Sequence, residues 1–325
     1  MAIISVRDLK KYYQIHEKEP GIAGTIKSLF NRKYSEAKAV DGISFEINEG
    51  ELIGFIGPNG AGKTTTLKVL SGLLYPTSGS VEVLGYIPWK RKTEYLKQFS
   101  LVMGQKNQLF WDLPAIDSFH LYKEIYEISD TSYKKTLGEL VELLDVATIL
   151  KVQVKKLSLG QRMKMELIAA LIHSPKLLFL DEPTIGLDVV MQKTLREFIA
   201  GYNKIKGATI ILTSHYMLDV KELAKRVLII DHGRILFDGQ LSEVIRKFSS
   251  SKVLNVSFEK TVKKADLTGY GRVEEKDGVF SIILKREDSS KAVQAILKKS
   301  PVKDLTIEEP QIEDIIRQVF ADKKV

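Results

Sequence analysis

A chain of 325 residues, 44% hydrophobic and 28% charged, has ordinary globular composition and room for one large domain plus a small one. With no cysteine it excludes disulfides, thiolate metal sites and thiol redox chemistry, and its five histidines, His16, His120, His173, His215 and His232, are too scattered for an i,i+4 metal pair. A net charge of +8 suits an anionic ligand or a nearby membrane surface without itself arguing for nucleic acid, and no apolar run is long enough to span a bilayer.

The opening Met1-Ala2-Ile3-Ile4-Ser5-Val6-Arg7-Asp8 lacks the basic-then-apolar form of a signal peptide, so a cytosolic protein is expected. Between Leu9-Lys10-Lys11-Tyr12-Tyr13 and a strand around Ala39 to Ile47 lies an insertion, residues 15–37, longer than an ordinary connection. Within it Ile22, Ile26, Leu29 and Phe30 form a helical stripe, with Lys27, Arg32 and Lys33 off it. Such a basic amphipathic helix fits a membrane surface or a transmembrane partner, and equally a cover for the protein's own β-layer.

Leu52-Ile53-Gly54-Phe55-Ile56 reads as a short buried strand, and Leu67 and Leu70 share one face of a helix beginning near Gly62. Between them Gly57-Pro58-Asn59-Gly60-Ala61-Gly62-Lys63-Thr64-Thr65 satisfies G-x-x-x-x-G-K-[ST]. The glycines let successive N–H groups converge on an anion at a helix N-terminus. Lys63 brings a full charge to the terminal phosphates, and Thr64 offers a hydroxyl to Mg²⁺. ATP or GTP is therefore the expected ligand.

After a lone Gln105, Asn107-Gln108-Leu109-Phe110-Trp111-Asp112-Leu113-Pro114 opens a mainly helical segment, residues 106–172. Exposed Phe110 and Trp111 would suit a partner's docking helix, and buried aromatics at a domain seam are the competing reading. Ser158, Gly160 and Gln161 precede a long amphipathic helix, where a hydroxyl, backbone N–H groups and the helix dipole form an anion site. Alone, Ser158 is better explained as a plain N-cap. Leu177-Leu178-Phe179-Leu180-Asp181-Glu182 reads as a buried parallel strand delivering two acids to its C-terminal end, where ligands bind in open α/β sheets. Asp181 is placed for Mg²⁺ and Glu182 to accept a proton from attacking water. Beyond Gly239, Leu254, Val256 and Phe258 alternate with polar residues, Asp277-Gly278 precedes Val279 to Leu284, and Ile312, Ile315, Ile316, Val319 and Phe320 mark a helix after Pro310. This reads as a small α+β domain.

The order of these motifs, ending in Thr213-Ser214-His215, resembles the nucleotide-binding subunit of ABC transporters over about Ile3 to Gly239. The resemblance implies an α/β P-loop NTPase cassette with a RecA-like core, an antiparallel β-subdomain and a helical subdomain, residues 1–240, followed by an accessory α+β domain, residues 241–325. Gly57, Asn59, Gly60, Ala61, Gly62, Lys63, Thr64 and Thr65 match its Walker A, Gln105 its Q-loop, and Ser158, Gly160 and Gln161 its signature. Asp181 and Glu182 match its Walker B, Asp188 its D-loop and His215 its switch histidine. By that match Glu182, His215, Lys63 and Gln105 are catalytic, and Thr64, Gln105 and Asp181 hold the metal. Tyr13 matches the aromatic that stacks on adenine, with Tyr12 the neighbour it could be confused with. One position departs: Leu159 stands where the family commonly has glycine, giving LSLGQ.

What the resemblance implies for function is an ATPase using ATP and Mg²⁺. Two such cassettes, identical or similar, would dimerise head to tail on the cytoplasmic face of the membrane beneath separate permease subunits. The stretch from Gly104 to Pro114 looks most like exporters that pair with ABC-2-type permeases, with drug or antibiotic cargo and polysaccharide or glycolipid cargo both open. A soluble cassette acting on the ribosome or on DNA is the rival class. Such proteins carry two cassettes or a long coiled coil, and this sequence has neither, so no nucleic acid partner is expected.

Overall fold

The computed structural model describes residues 2–17, 33–104, 106–214, 216–248, 251–260, 262–308 and 315. The chain divides into two compact units, Met1–Asp238 and Gly239–Val325.

The first unit opens with two long antiparallel strands, β1 (Ala2–Glu17) and β2 (Lys33–Asn48). Next come β3 (Leu52–Ile56), α1 (Lys63–Leu70) and β4 (Ser78–Val83), which pairs with the free edge of β1. The chain continues through α2 (Thr93–Leu96), β5 (Phe99–Met103), α3 (Ala115–Ile125), α4 (Asp130–Leu144), α5 (Leu159–Leu171) and β6 (Leu177–Asp181). It then runs α6 (Val189–Lys206), β7 (Thr209–Thr213), α7 (Met217–Leu223), β8 (Arg226–Asp231) and β9 (Arg234–Gln240).

Two sheets result, one of order β2-β1-β4 and one of order β5-β6-β7-β3-β8-β9. In the larger sheet β5, β6, β7, β3 and β8 run parallel, and every residue of β6 and β7 is buried. Apolar runs without alternation are what a sheet covered on both faces requires. Ile4, Val6, Leu9, Val40, Ile43, Phe45 and Ile47 of the antiparallel sheet share one core with Phe55, Leu67, Phe179 and Ile230. Helices α5 and α6 build a second core against β6 and β7 through Leu167, Ile168, Leu171, Leu195 and Ile199.

The insertion differs from its reading as a segment outside the strands. Its described ends are strand, because the β1–β2 ladder continues past Tyr13↔Ala37 to Ile15↔Ser35 and Glu17↔Lys33. The stripe Ile22, Ile26, Leu29 and Phe30 lies outside the described residues.

The second unit starts with α8 (Leu241–Phe248) and holds β10 (Ser251–Phe258), β11 (Arg272–Lys276), β12 (Val279–Lys285), α9 (Ser289–Lys299) and β13 (Val302–Glu308). The strands form an antiparallel sheet of order β11-β12-β10-β13. Asp277 and Gly278, with φ of 50° and 78°, make the tight turn between β11 and β12 that positive φ at both positions allows. Ala292 and Ile296 of α9 share a core with Leu254, Val256, Phe280, Ile282 and Leu284, which makes this the α+β unit expected. The helix expected after Pro310 lies outside the described residues except for Ile315, which is buried.

Candidate functional site

The phosphate-type loop joins β3 to α1. A Cβ on Gly57 would stand 2.2 Å from the Ile230 carbonyl oxygen, and one on Gly62, at φ 109°, would stand 2.4 Å from that of Ala39. Only glycine lets the loop run this close to β8 and β2. The loop opens into a cavity of about 520 Å³ lined by Asn59, Gly60, Ala61, Gly62, Lys63, Thr64, Thr65 and Glu182, together with Ala39 and Ile185.

Lys63 is 4% exposed and turns its ammonium back onto the loop, donating to the carbonyls of Gly57 at 2.7 Å and Pro58 at 3.1 Å. Burial lowers its pKa, opposed by the carboxylates of Glu182 and Asp181. The next residue, Thr64, donates its Oγ1 hydroxyl to Asp181 Oδ2 at 2.8 Å. Asp181 Oδ1 accepts from Thr213 Oγ1 at 2.7 Å, and Thr213 Oγ1 in turn accepts the Glu182 N–H at 3.0 Å. Strands β3, β6 and β7 lie side by side, so their C-terminal ends bring Thr64, Asp181, Glu182 and Thr213 into one chain of hydrogen bonds. Glu182 itself takes φ 55°, which turns the backbone sharply where β6 ends. The Gly104 N–H donates to the Asp181 carbonyl at 2.9 Å, so the end of β5 leading to Gln105 is tied to this strand.

Gln105 and His215 lie outside the described residues. Their neighbours do not: Ser214 is buried and Gly104 is packed against Glu182, where a Cβ would meet the carbonyl at 2.1 Å.

The two tyrosines separate. Tyr12 donates its hydroxyl to Asp41 Oδ1, and Asp41 Oδ2 pairs with Arg234 at 2.7 Å. The Asp41 hydrogen bond, with burial and its charge, pushes the Tyr12 phenol up to about 12, while the bonds from Tyr12 and Arg234 lower Asp41. Tyr13 is 37% exposed with the Lys11 ammonium 5.1 Å from its ring centre. Tyr12 is thus committed to structure, whereas Tyr13 stays partly exposed.

Ser158 is the N-cap of α5 in a full capping box: its hydroxyl accepts from Gln161 N–H at 3.2 Å and its own N–H donates to Gln161 Oε1 at 3.0 Å. The hydroxyl proton is left for another acceptor. Asp188 caps α6 by accepting from Met191 N–H at 2.9 Å. The departure at Leu159 has a local fit, because its Cδ2 lies 3.0 Å from where a Gly186 Cβ would be, so the leucine rests on the turn before Asp188. Gly160 faces Met191, whose Cγ would be 2.8 Å from a Cβ there.

Phe110 and Trp111 are 48% and 45% exposed, with the Arg162 guanidinium 5.3 Å over the Trp111 ring. A second depression of about 430 Å³, lined by Leu73, Phe99, Leu101, Gln108, Tyr122 and Ile125 among others, lies between α3 and β5. Sequence reasoning missed Thr213 as a partner of the two acids, and Ala39 and Ile185 as cavity wall. Thr213 carried a signal, a hydroxyl closing an apolar strand; the other two carried none.

A glycine-built phosphate cradle, a buried lysine and two acids ending a parallel strand define a nucleotide-binding P-loop ATPase. The ABC transporter family matches residues 40–185, and the EvrA-like ABC transporter C-terminal domain matches residues 250–308. The linearmycin resistance ATP-binding protein LnrL of Bacillus subtilis is 32% identical over 70% of this chain and 72% of its own. The daunorubicin resistance ATP-binding protein DrrA3 of Streptomyces coeruleorubidus is 27% identical over 90% of this chain and 94% of its own. Among solved structures, an ATP-binding subunit of an ABC transporter superposes with a TM-score of 0.62 at 26% identity, covering 76% of this chain and 93% of that one. The chain belongs to the ATP-binding subunits of ABC transporters and is an ABC ATPase. The expected cassette fold is therefore borne out. Among the described residues no helix is long and apolar enough to cross a membrane.

Proposed function

We propose that this chain is the ATP-hydrolysing subunit of an exporter, acting as one of two head-to-tail cassettes, identical or similar, on the cytoplasmic face of the membrane. Each ATP lies between Lys63 of one cassette and Ser158 of the other. The observation that carries this is the hydrogen-bonded chain from Thr64 through Asp181 and Thr213 to the Glu182 N–H, which fixes the Asp181 carboxylate and the Glu182 backbone beside the phosphate cradle. The exporter reading is supported by relatives named for linearmycin and daunorubicin resistance.

In turnover the loop N–H groups of Gly60 to Thr65 hold the phosphates, and the Lys63 ammonium swings from its two loop carbonyls to the terminal ones. Water attacks the γ-phosphorus and passes its proton to the Glu182 carboxylate, as the bond to the leaving ADP oxygen breaks. His215 contacts the γ-phosphate, and Gln105 senses it. Tyr13 stacks on adenine. The partner's Ser158 hydroxyl, Gly160 amide and α5 dipole, with Asp188 nearby, close the site. The all-oxygen pair of Thr64 Oγ1 and Asp181 Oδ2 fits a hard cation that arrives with the nucleotide, and no group of three or more His, Cys, Asp or Glu among the described residues forms a cage of its own. Mg²⁺ held there, with Gln105 as a further ligand, would supply charge neutralisation at the phosphates.

An ABC-2-type permease subunit docks on the loop after Gln105, where Gln108 lines the depression and Phe110 and Trp111 are exposed. Cassette closure moves it, coupling the free energy of ATP binding to a membrane conformational change. The composite site is tested by mixing. Ser158→Arg alone should abolish ATPase activity while leaving monomeric ATP affinity intact, and mixing it with Lys63→Ala chains rebuilds one wild-type site per mixed dimer and should restore part of the activity. Full activity of Ser158→Arg alone rejects the head-to-tail site.

A further inference from the structure

We propose that Asp219, which none of the family's sequence motifs above includes, is a positioning residue that locks the turn after Glu182 and the loop carrying His215 into one register. Its role rests on Glu182 acting as the water-activating base.

Asp219 lies in α7 and is 0% exposed. Its Oδ2 accepts from Thr184 Oγ1 at 2.6 Å and from Ser214 Oγ at 2.7 Å, and its Oδ1 accepts from Arg196 Nη1 at 2.9 Å. Each donor comes from a different working element. Thr184 is two residues past Glu182, in a turn closed by Ile185 N–H donating to the Glu182 carbonyl at 3.2 Å. Ser214 follows β7, and its hydroxyl, while donating to Asp219, accepts the Tyr216 N–H at 2.9 Å, so it ties the end of β7 to the start of α7. Arg196 sits on α6, the helix capped by Asp188, and its Nε donates to Glu222 Oε2 at 2.6 Å.

Two facts favour positioning over simple stability. Thr184, Ser214, Arg196 and Asp219 are all 4% exposed or less, so water cannot replace a lost partner and the two loops cannot move separately without breaking a buried bond. A buried ion pair stabilises weakly, because desolvation offsets most of its attraction, whereas a carboxylate can gather three donors from three elements at once. The amide of Asn has one acceptor oxygen and turns donors toward hydroxyls that already donate to Asp219.

The test is steady-state ATPase kinetics of the full chain. Asp219→Asn should lower kcat by about tenfold or more with KM for ATP within about twofold, since the phosphate cradle is untouched. In a Glu182→Gln background it should add less than about twofold, because both changes disable the same step. Thr184→Val, which keeps shape and ion pair, serves if Asp219→Asn does not fold: it should reproduce the kcat loss, Thr184→Ser should rescue it, and Thr184→Val with Ser214→Ala should cost no more than the larger single loss. Unchanged kcat in folded Asp219→Asn or Thr184→Val, or a full multiplicative loss on top of Glu182→Gln, would leave Asp219 a structural residue only. Wild-type turnover in Glu182→Gln alone would instead reject the assignment of the base, and Asp219 would then stand or fall on its own kcat and KM.

Discussion

Thr64 donates its hydroxyl to Asp181 Oδ2 across 2.8 Å, joining the helix after the phosphate loop to the strand that carries the acids, 117 residues apart in sequence. A metal arriving with nucleotide would find both oxygens already adjacent. Thr64→Val removes one of them and leaves a buried Asp181 oxygen short of a donor, at a cost of about 1–3 kcal/mol. The expected result is that ATP affinity measured with Mg²⁺ falls by about tenfold or more toward the value measured in EDTA, while Thr64→Ser keeps the difference. A full Mg²⁺-dependent gain in Thr64→Val would show that this hydroxyl is not a ligand.

The capping role of Ser158 can be separated from the contact proposed for it with the partner's phosphate. As N-cap of α5 its loss to alanine should destabilise the chain by about 1 kcal/mol, seen as a lower Tm. Aspartate caps as well as serine, so Ser158→Asp should keep the Tm, yet in the proposed head-to-tail pair its charge would face the partner's γ-phosphate. Loss of ATPase activity in Ser158→Asp with unchanged Tm is the expected pattern. Retained activity would reduce Ser158 to a cap.

Much of this site was legible because it is local. The phosphate loop, the strand before it, the acids ending β6 and the serine before α5 are each written within a few consecutive residues, and chain order alone put them in one family. What was not legible depends on contacts across the sheet. Thr213 matters because β7 lies beside β6, and Asp219 because α7 returns over α6; neither spacing is visible in one dimension. The long β1–β2 ribbon was missed for a related reason, since its outer residues such as Tyr13, Ile15 and Tyr34 stay exposed and show no buried alternation. In the second unit α9 buries only Ala292 and Ile296, too little periodicity to announce a helix.

His173 gives the fold a pH dependence. Its ring stacks on Tyr126 with centroids 3.8 Å apart and planes 2° apart, and its Nε2 lies 3.3 Å from the Phe99 carbonyl oxygen. Its Nδ1 is buried without a hydrogen-bond partner among the described residues. Burial lowers its pKa from 6.5 to about 4. The unfolded chain therefore binds a proton that the folded chain refuses between those values. Stability from this group is complete above the unfolded pKa and is lost as pH falls toward 4, a loss of about 3 kcal/mol. Urea unfolding from pH 7 to pH 4 should show this slope, and His173→Phe, which keeps the stacked ring, should remove that part of it. An unchanged slope in His173→Phe would place the dependence elsewhere.

In the proposed mechanism Glu182 activates water in a site otherwise built to bind ATP. Glu182→Gln keeps size and hydrogen bonding but removes the base, so single-turnover hydrolysis of bound ATP measures it most directly. Nucleotide should bind as in wild type, ATP-dependent dimers should accumulate, and the hydrolysis rate should fall by about 10²-fold or more. Hydrolysis near the wild-type rate in this variant would contradict the account and move the base to another residue, His215 first.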